Sequence, residues 1–509
     1  MGALKGAGIC RYYLNKLGAS FGHEPDRDMK WKKSQAMKPL ILIEFNELSP
    51  RLLERFMAAG KLPNFGKFYA ESTVFVTDAR EQVSNLEPWI QWPTVHSGLS
   101  YDEHRVFHLG DGRNQTRKYV AEILSDAGIR AGVFGSMNMN YRALKGYVIA
   151  DPWDKDTFCS PGWLQPFCHI VAKAVQESSN DGGLSKKDLA RLALFLGRHG
   201  MKSGTFMGAL TQVLAERRDP GLKWRRPSLL DQLQYDLFVH LNRRYNVQFA
   251  TFFSNSTAHY QHFHWRDMDP ELFDVPPDSH AHPSMRSAIL YGYQSMDDLM
   301  GRFMRDNPNA LLMFCTALSQ QPWTDTTKVG YRPRDFNTFL EFAEIPPESV
   351  AIKPVMAQQF YIDCPNRAVG DAAEKSLGSL FVGEEPLMWT ERAGDALLTG
   401  CRIHATEETL RNATVRRSDG GAAPFGELFY KIHAMRSGRH HGDGALWVRN
   451  GRHEIVASKA ALTQIAPTIL AHFSVPRPPY MQGLPLSDKV ERFVTALQRR
   501  LAKRSPVVP

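Results

Sequence analysis

Cysteine is scarce in this chain and follows no pattern: six residues in 509 (Cys10, Cys159, Cys168, Cys315, Cys364 and Cys401), none in Cys-x-x-Cys spacing. Neither a zinc ribbon nor a disulfide framework is signalled, and Cys315, set in an apolar run, reads as a small core hydrophobe. Such usage fits a reducing compartment, so a cytoplasmic location is expected. Long apolar runs are missing too. Residues 40–43 and 310–315 are strand-sized, far short of the ~18–20 needed to cross a bilayer, and no transmembrane segment is expected. No apolar stretch of the secretory type opens the chain. Residues 1–36 are polar and basic, with Met37 just ahead of the first convincing strand; they read as a poorly ordered extension, or as the product of an upstream start codon. Repeats and low-complexity tracts are absent. A strong charge imbalance is absent as well: 62 Lys and Arg against 53 Asp and Glu give +9. That mild excess suits a small anionic or phosphorylated substrate and does not indicate nucleic acid.

What is present is an ordinary globular composition, 43% hydrophobic and 23% charged, in a chain long enough for one large domain or two to three smaller ones. The run Leu40–Phe45 turns polar at Asn46 and Glu47, as a buried parallel strand does when its C-terminal end opens onto a site. Ser49 and Pro50 then start a helix with an apolar stripe of Leu52, Leu53, Phe56 and Met57. Further strands are expected at residues 73–76, 131–134, 249–253 and 311–315, and a helix at 120–126. Strands alternating with helices predict an α/β fold, a mainly parallel sheet sandwiched by helices. The core is expected from residues 38–150, 246–324 and 436–495. Residues 151–245 read as a helix-rich insertion forming a cap, residues 325–435 as a smaller second lobe, and residues 496–509 as a tail.

Several segments, in order, carry a resemblance. These are residues 40–68 with Leu62-Pro63-Asn64-Phe65; Trp92-Pro93 to Ser97-Gly98 with Glu103-His104; Thr257 to Trp265; Gly438-Arg439-His440 to Gly444; and Gln464 to Leu470 with Gly483, Pro485 and Leu486. Together they resemble the alkaline phosphatase-like superfamily, and within it the type I phosphodiesterase and nucleotide pyrophosphatase branch. The resemblance implies two divalent cations, usually zinc, held by Asp and His beside a Thr, Ser or Cys nucleophile.

The sequence departs from that pattern. Asn46 stands where the first metal carboxylate belongs, and Ala258 where an Asp precedes His262. Thr316-Ala317-Leu318-Ser319 replaces a Ser-Asp-His-Gly segment, and Glu87-Pro88 falls where the nucleophile belongs. Ala and Leu coordinate nothing, so the two-zinc site is not expected. Other polar groups sit at the same strand ends. Asn46, Glu47 and Glu87 are the candidate catalytic residues, with Glu87 either a base for water or a carboxylate favoured at a helix start. Gln91, His96, Ser319 and Gln320 are candidate substrate-binding residues. His259, His262 and His440 are candidate ligands for a single divalent metal, zinc in the first instance. His104 reads as a packing residue, and the tryptophans Trp89 and Trp92 either as core or as rings that stack on a sugar or base. The expected activity is hydrolysis or transfer of a phosphate or sulfate ester with zero or one metal. The alternatives are an inactive relative that binds an anionic or carbohydrate ligand or a protein partner, and glycosyl or acyl transfer on the same scaffold.

Overall fold

A strand made almost wholly of apolar residues must be covered on both faces, and in β1 (Leu40–Phe45) every residue is buried. The computed structural model describes residues 38–486 apart from 83–84, 140, 154–157, 177–183, 275, 278–280, 325–329, 355–358 and 432–436. The expected N-terminal extension and C-terminal tail therefore lie outside the described residues.

The main sheet has nine strands. Five of them are β2 (Ser72–Asp78), β3 (Ala131–Phe134), β4 (Gly146–Ile149), β5 (Phe249–Ser254) and β6 (Leu311–Cys315). β5 and β6 flank β1 in parallel, and β3 and β4 continue in parallel beyond β5. On the other side a ribbon of β7 (Ser319–Pro322) and β8 (Gly438–His441) leads into β9 (Asp443–Arg449). β9 runs antiparallel between β6 and β2, while Glu454–Ile455 and Ala460–Ala461 pair in parallel with β2. β9 alone therefore runs against the rest, and the three central apolar runs share one sheet as expected.

Side chains alternate along a strand, so β1 feeds two cores. Ile41, Ile43 and Phe45 point into one cluster and Leu40 and Leu42 into the other. The first is covered by α1 (Pro50–Ala58) and α2 (Pro63–Ala70). Over the second lie α3 (Pro88–Ser97), the short α4 (Tyr101–His104) and α5 (Val120–Asp126). The segment between β4 and β5 is helical: α6 (Gln165–Gln176), α7 (Lys186–Arg198), α8 (Ser203–Arg218) and α9 (Arg226–Arg244). With α10 (Ser256–Met268) and α11 (Ala288–Asp306), α9 completes the first layer. Phe45 lies 5.9 Å from Phe314 and 6.3 Å from both Phe65 and Phe303, an aromatic contact whose truncation to Ala costs about 3–5 kcal/mol. The helix starts are cheaper features: Pro50 takes the first position of α1, and Ser49 precedes it without a side-chain cap.

Residues between β7 and β8 carry a third core, from Tyr331 to Phe429, under two four-stranded antiparallel sheets. The cysteine reading needs correction: Cys159 and Cys168 form a disulfide. No spacing motif announces it, because the pair is made by the chain folding back from an isolated bridge, Val148 to Ser160, onto the start of α6. A disulfide is uncommon in a reducing cytosol, so cysteine usage gives the cytoplasmic expectation no support. No helix among the described residues is long and apolar enough to cross a membrane.

Candidate metal centre at the strand ends

The hydrogen-bond ladder of β1 carries on past its end, with Asn46 N–H donating to Ser254 O and Glu47 N–H to Thr316 O. Glu47 then takes a left-handed conformation, φ 61°, uncommon for a side-chain-bearing residue, which turns its carboxylate inward to 2% exposure. Its surroundings hold it there. Asn46 Nδ2 donates to Glu47 Oε1 and to Asn255 Oδ1, both at 2.7 Å, while Asn46 Oδ1 accepts from Trp92 Nε1 at 2.8 Å. Gln320 Nε2 donates to Glu47 Oε2 and to Ala258 O. Gln261 Nε2 donates to the Glu47 carbonyl, and its Oε1 accepts from Tyr293 Oη.

Two histidines face that carboxylate. His262 Nε2, from α10, lies 3.1 Å from Glu47 Oε2, and His440 Nε2, from β8, lies 3.2 Å from the same oxygen. β8 reaches this end of the sheet because it precedes the one antiparallel strand. His262 Nδ1 lies 3.2 Å from the Gly438 carbonyl, which can only accept, so that nitrogen carries a proton. A neutral His262 then turns an Nε2 lone pair toward a carboxylate, an arrangement that calls for a cation between them, proton or metal. Behind His440, its Nδ1 lies 3.4 Å from Glu87 Oε2, the carboxylate–histidine pairing that orients metal ligands. Burial pushes the Glu47 carboxyl up, but the charges and hydrogen bonds of His440 and His262 outweigh it and hold it well below the usual carboxylate range.

Glu47, His262 and His440 offer donor atoms that all lie within 4.8 Å of one another, and the group could hold a divalent metal ion. The residues fit. Ligands about 2.0–2.1 Å from a tetrahedral zinc are about 3.3 Å apart, close to the two nitrogen–oxygen separations of 3.1 and 3.2 Å. Three protein ligands leave a fourth position, the pattern of catalytic zinc. The His262, His440 and Glu87 side chains are 16%, 13% and 32% exposed against 2% for Glu47, so the cluster is reached from their side.

The histidine pair differs from the one expected on α10. His259 is exposed, with its ring against Phe263, and His440 takes its place beside His262. Three of the expected substrate contacts have partners inside the protein. Gln91 is fully buried and donates to the Asn85 carbonyl. His96 is fully buried between Glu44 and Tyr141. The Ser319 hydroxyl donates to Asp443 O and ties the ribbon to β9. Gln320 orients Glu47, and Asn46, placed among the catalytic candidates, orients it too, with its amide bonded to Glu47, Asn255 and Trp92. Trp92, Gln261 and Asn255 complete this support. Gln261 and Trp92 stood in segments that carried the resemblance, but nothing in the sequence tied Asn255 to the site. A comparison of the sequence with protein-family models and with curated proteins returns no match.

Proposed function

We propose that this protein is a divergent relative of the alkaline phosphatase-like superfamily that hydrolyses or transfers a phosphate or sulfate ester at a rebuilt, single-metal centre. The observation that carries this reading is the convergence of the Glu47, His262 and His440 donors at the C-terminal edge of a mainly parallel sheet, where α/β proteins place their ligands. Glu47, His262 and His440 would hold a divalent cation, zinc in the first instance, which would supply Lewis acidity toward a phosphoryl or sulfuryl oxygen. Asn46 and Gln320 donate to the two carboxylate oxygens of Glu47 and hold it facing both histidines. His262 is held in one tautomer by the Gly438 carbonyl. Glu87, partly exposed and anchored against His440, is the group placed to take a proton from an attacking water.

A second reading has its own support. Gln91, His96 and Ser319 are committed to internal hydrogen bonds, as in an inactive relative that keeps the fold to bind an anionic or carbohydrate ligand or a protein partner. The test is the metal content of the purified chain together with turnover on a panel of phosphate monoesters, phosphodiesters and sulfate esters. One equivalent of metal with turnover, both lost in His262→Ala, is the expected result. Neither metal nor turnover after zinc or manganese is supplied would overturn the catalytic reading.

A further inference from the structure

An amphipathic helix normally turns its large apolar side chains inward; α8 does the reverse. Toward the protein it presents Thr205, Ala209, Gln212 and Glu216. Gln212 bonds the Leu222 carbonyl and Glu216 pairs with Arg226. Phe206, Met207, Leu210, Val213 and Leu214 share the opposite face, and all five are exposed. The neighbouring α7 adds Leu189 at 52% and Leu194 at 57% exposure. These two consecutive helices thus carry seven of the twelve large apolar side chains exposed among the described residues, five of them on one face of α8. A single exposed leucine means little; a contiguous patch marks a contact surface.

Charge identifies the contact. Residues 186–226 hold ten Lys or Arg and three Asp or Glu, most of the net +9 of the whole chain. The three acids are already engaged: Asp188 with Lys173, Glu216 with Arg226, and Asp219 with His282. Lys186, Lys187, Arg198, Arg217 and Arg218 form no ion pair among the described residues. Arg217 and Arg218 close α8 beside its apolar face. Between the turn that precedes α8 and the end of α9, Lys202, His240, Arg243 and Arg244, with Asp236, line a cleft of about 440 Å³. Large apolar side chains bordered by unpaired Lys and Arg match an interface that is apolar below and anionic at its surface, as a bilayer of acidic phospholipids is.

We infer that α8 docks this protein on the surface of an anionic membrane, with its apolar face among the acyl chains and the basic residues that flank it among the headgroups. The test uses the full chain and co-sedimentation with vesicles of phosphatidylserine mixed with phosphatidylcholine, or of phosphatidylcholine alone. Binding to the anionic vesicles should be about tenfold tighter and should weaken as salt rises. Leu210→Glu with Leu214→Glu, and separately Arg217→Glu with Arg218→Glu, should reduce it to the phosphatidylcholine level. All four side chains are exposed, so each variant should melt with the parent protein. Two results would overturn the proposal. One is equal or no binding to the two kinds of vesicle. The other is a dimer in solution that the leucine variant converts to monomer, which would assign the face to a second copy of the chain.

Discussion

Gly438 stands against Gln320 with no room for a methyl group: a Cβ at position 438 would lie 2.5 Å from Gln320 Oε1 and 2.4 Å from the Gln261 carbonyl. Both glutamines hold Glu47, one by its carboxylate and one by its backbone. Gly438→Ala must therefore move one of them or the ribbon. The expected outcome is a metal affinity about 10–100-fold weaker, as when groups supporting a ligand are lost, with about 1–3 kcal/mol of destabilisation from the overpacked contact. Titration against a chromophoric chelator checks the first and urea unfolding the second. Unchanged affinity would mean that the glutamines do not set the geometry of Glu47.

Glu87→Gln keeps the size of the side chain but removes the carboxylate 3.4 Å from His440 Nδ1. Metal affinity should fall about tenfold or more. The melting temperature should barely move, because α3 begins on the Glu87 carbonyl and has no side-chain cap. If Glu87 is also the base, turnover at saturating metal drops further, by about 10²–10⁴. Restored metal with full turnover would leave it a positioning role alone.

How much of this was legible beforehand differs between scaffold and site. β1, β5 and β6 could be read because parallel strands buried on both faces are written as apolar runs with polar ends. The reversed direction of β9 could not, since alternation in Asp443–Arg449 is the same read either way. Glu47 could be named from its position at a strand end, and His262 and His440 from the segments that carry the resemblance. Their meeting depends on β7 pairing with β8 in a register that sets His440 against Gln320, and no local signal reaches across that separation. His96 misled for a different reason. Helix α3 is buried on nearly every side, so its sequence has no polar stripe to show which way the histidine points.

The other buried histidine of this region gives a pH dependence. His104 Nδ1 accepts from Val106 N–H and its Nε2 lies 3.0 Å from Thr94 Oγ1. Burial, then Arg105, pushes it down to about 4. The unfolded chain takes up this proton below about pH 6.5 while the folded chain resists it to about pH 4, so folding stability falls with pH across that window and is unaffected above it. The loss amounts to about 3 kcal/mol on full protonation of both states. His104→Gln should be less stable at pH 8 but should show a flatter decline on acidification, measured by urea unfolding at stepped pH. An equal slope in both proteins would assign the acid sensitivity elsewhere.

The last prediction separates scaffold from site. Glu44 lies in the middle of β1 at 0% exposure, its Oε1 2.7 Å from His96 Nε2 and its Oε2 accepting from Ser136 Oγ at 2.7 Å. His96 Nδ1 lies 2.7 Å from Tyr141 Oη, and burial, reinforced by the Glu44 charge, pushes that phenol well above its ordinary range. Tyr141 therefore keeps its proton and can donate to His96 Nδ1, leaving Nε2–H for Glu44. Every member depends on the next. His96→Leu strands the carboxylate of Glu44 in the core and should cost about 3–5 kcal/mol, whereas Glu44→Leu with His96→Leu removes both ionisable partners and should recover part of that loss, the remainder reflecting the Tyr141 and Ser136 hydroxyls left without these acceptors. Urea unfolding of both variants measures the difference. The double variant, folded and lacking His96, should bind metal with unchanged affinity and turn over any substrate with an unchanged KM, because the imidazole faces Glu44 and Tyr141 and not the crevice. A KM raised by the folded double variant would return His96 to the substrate-binding residues.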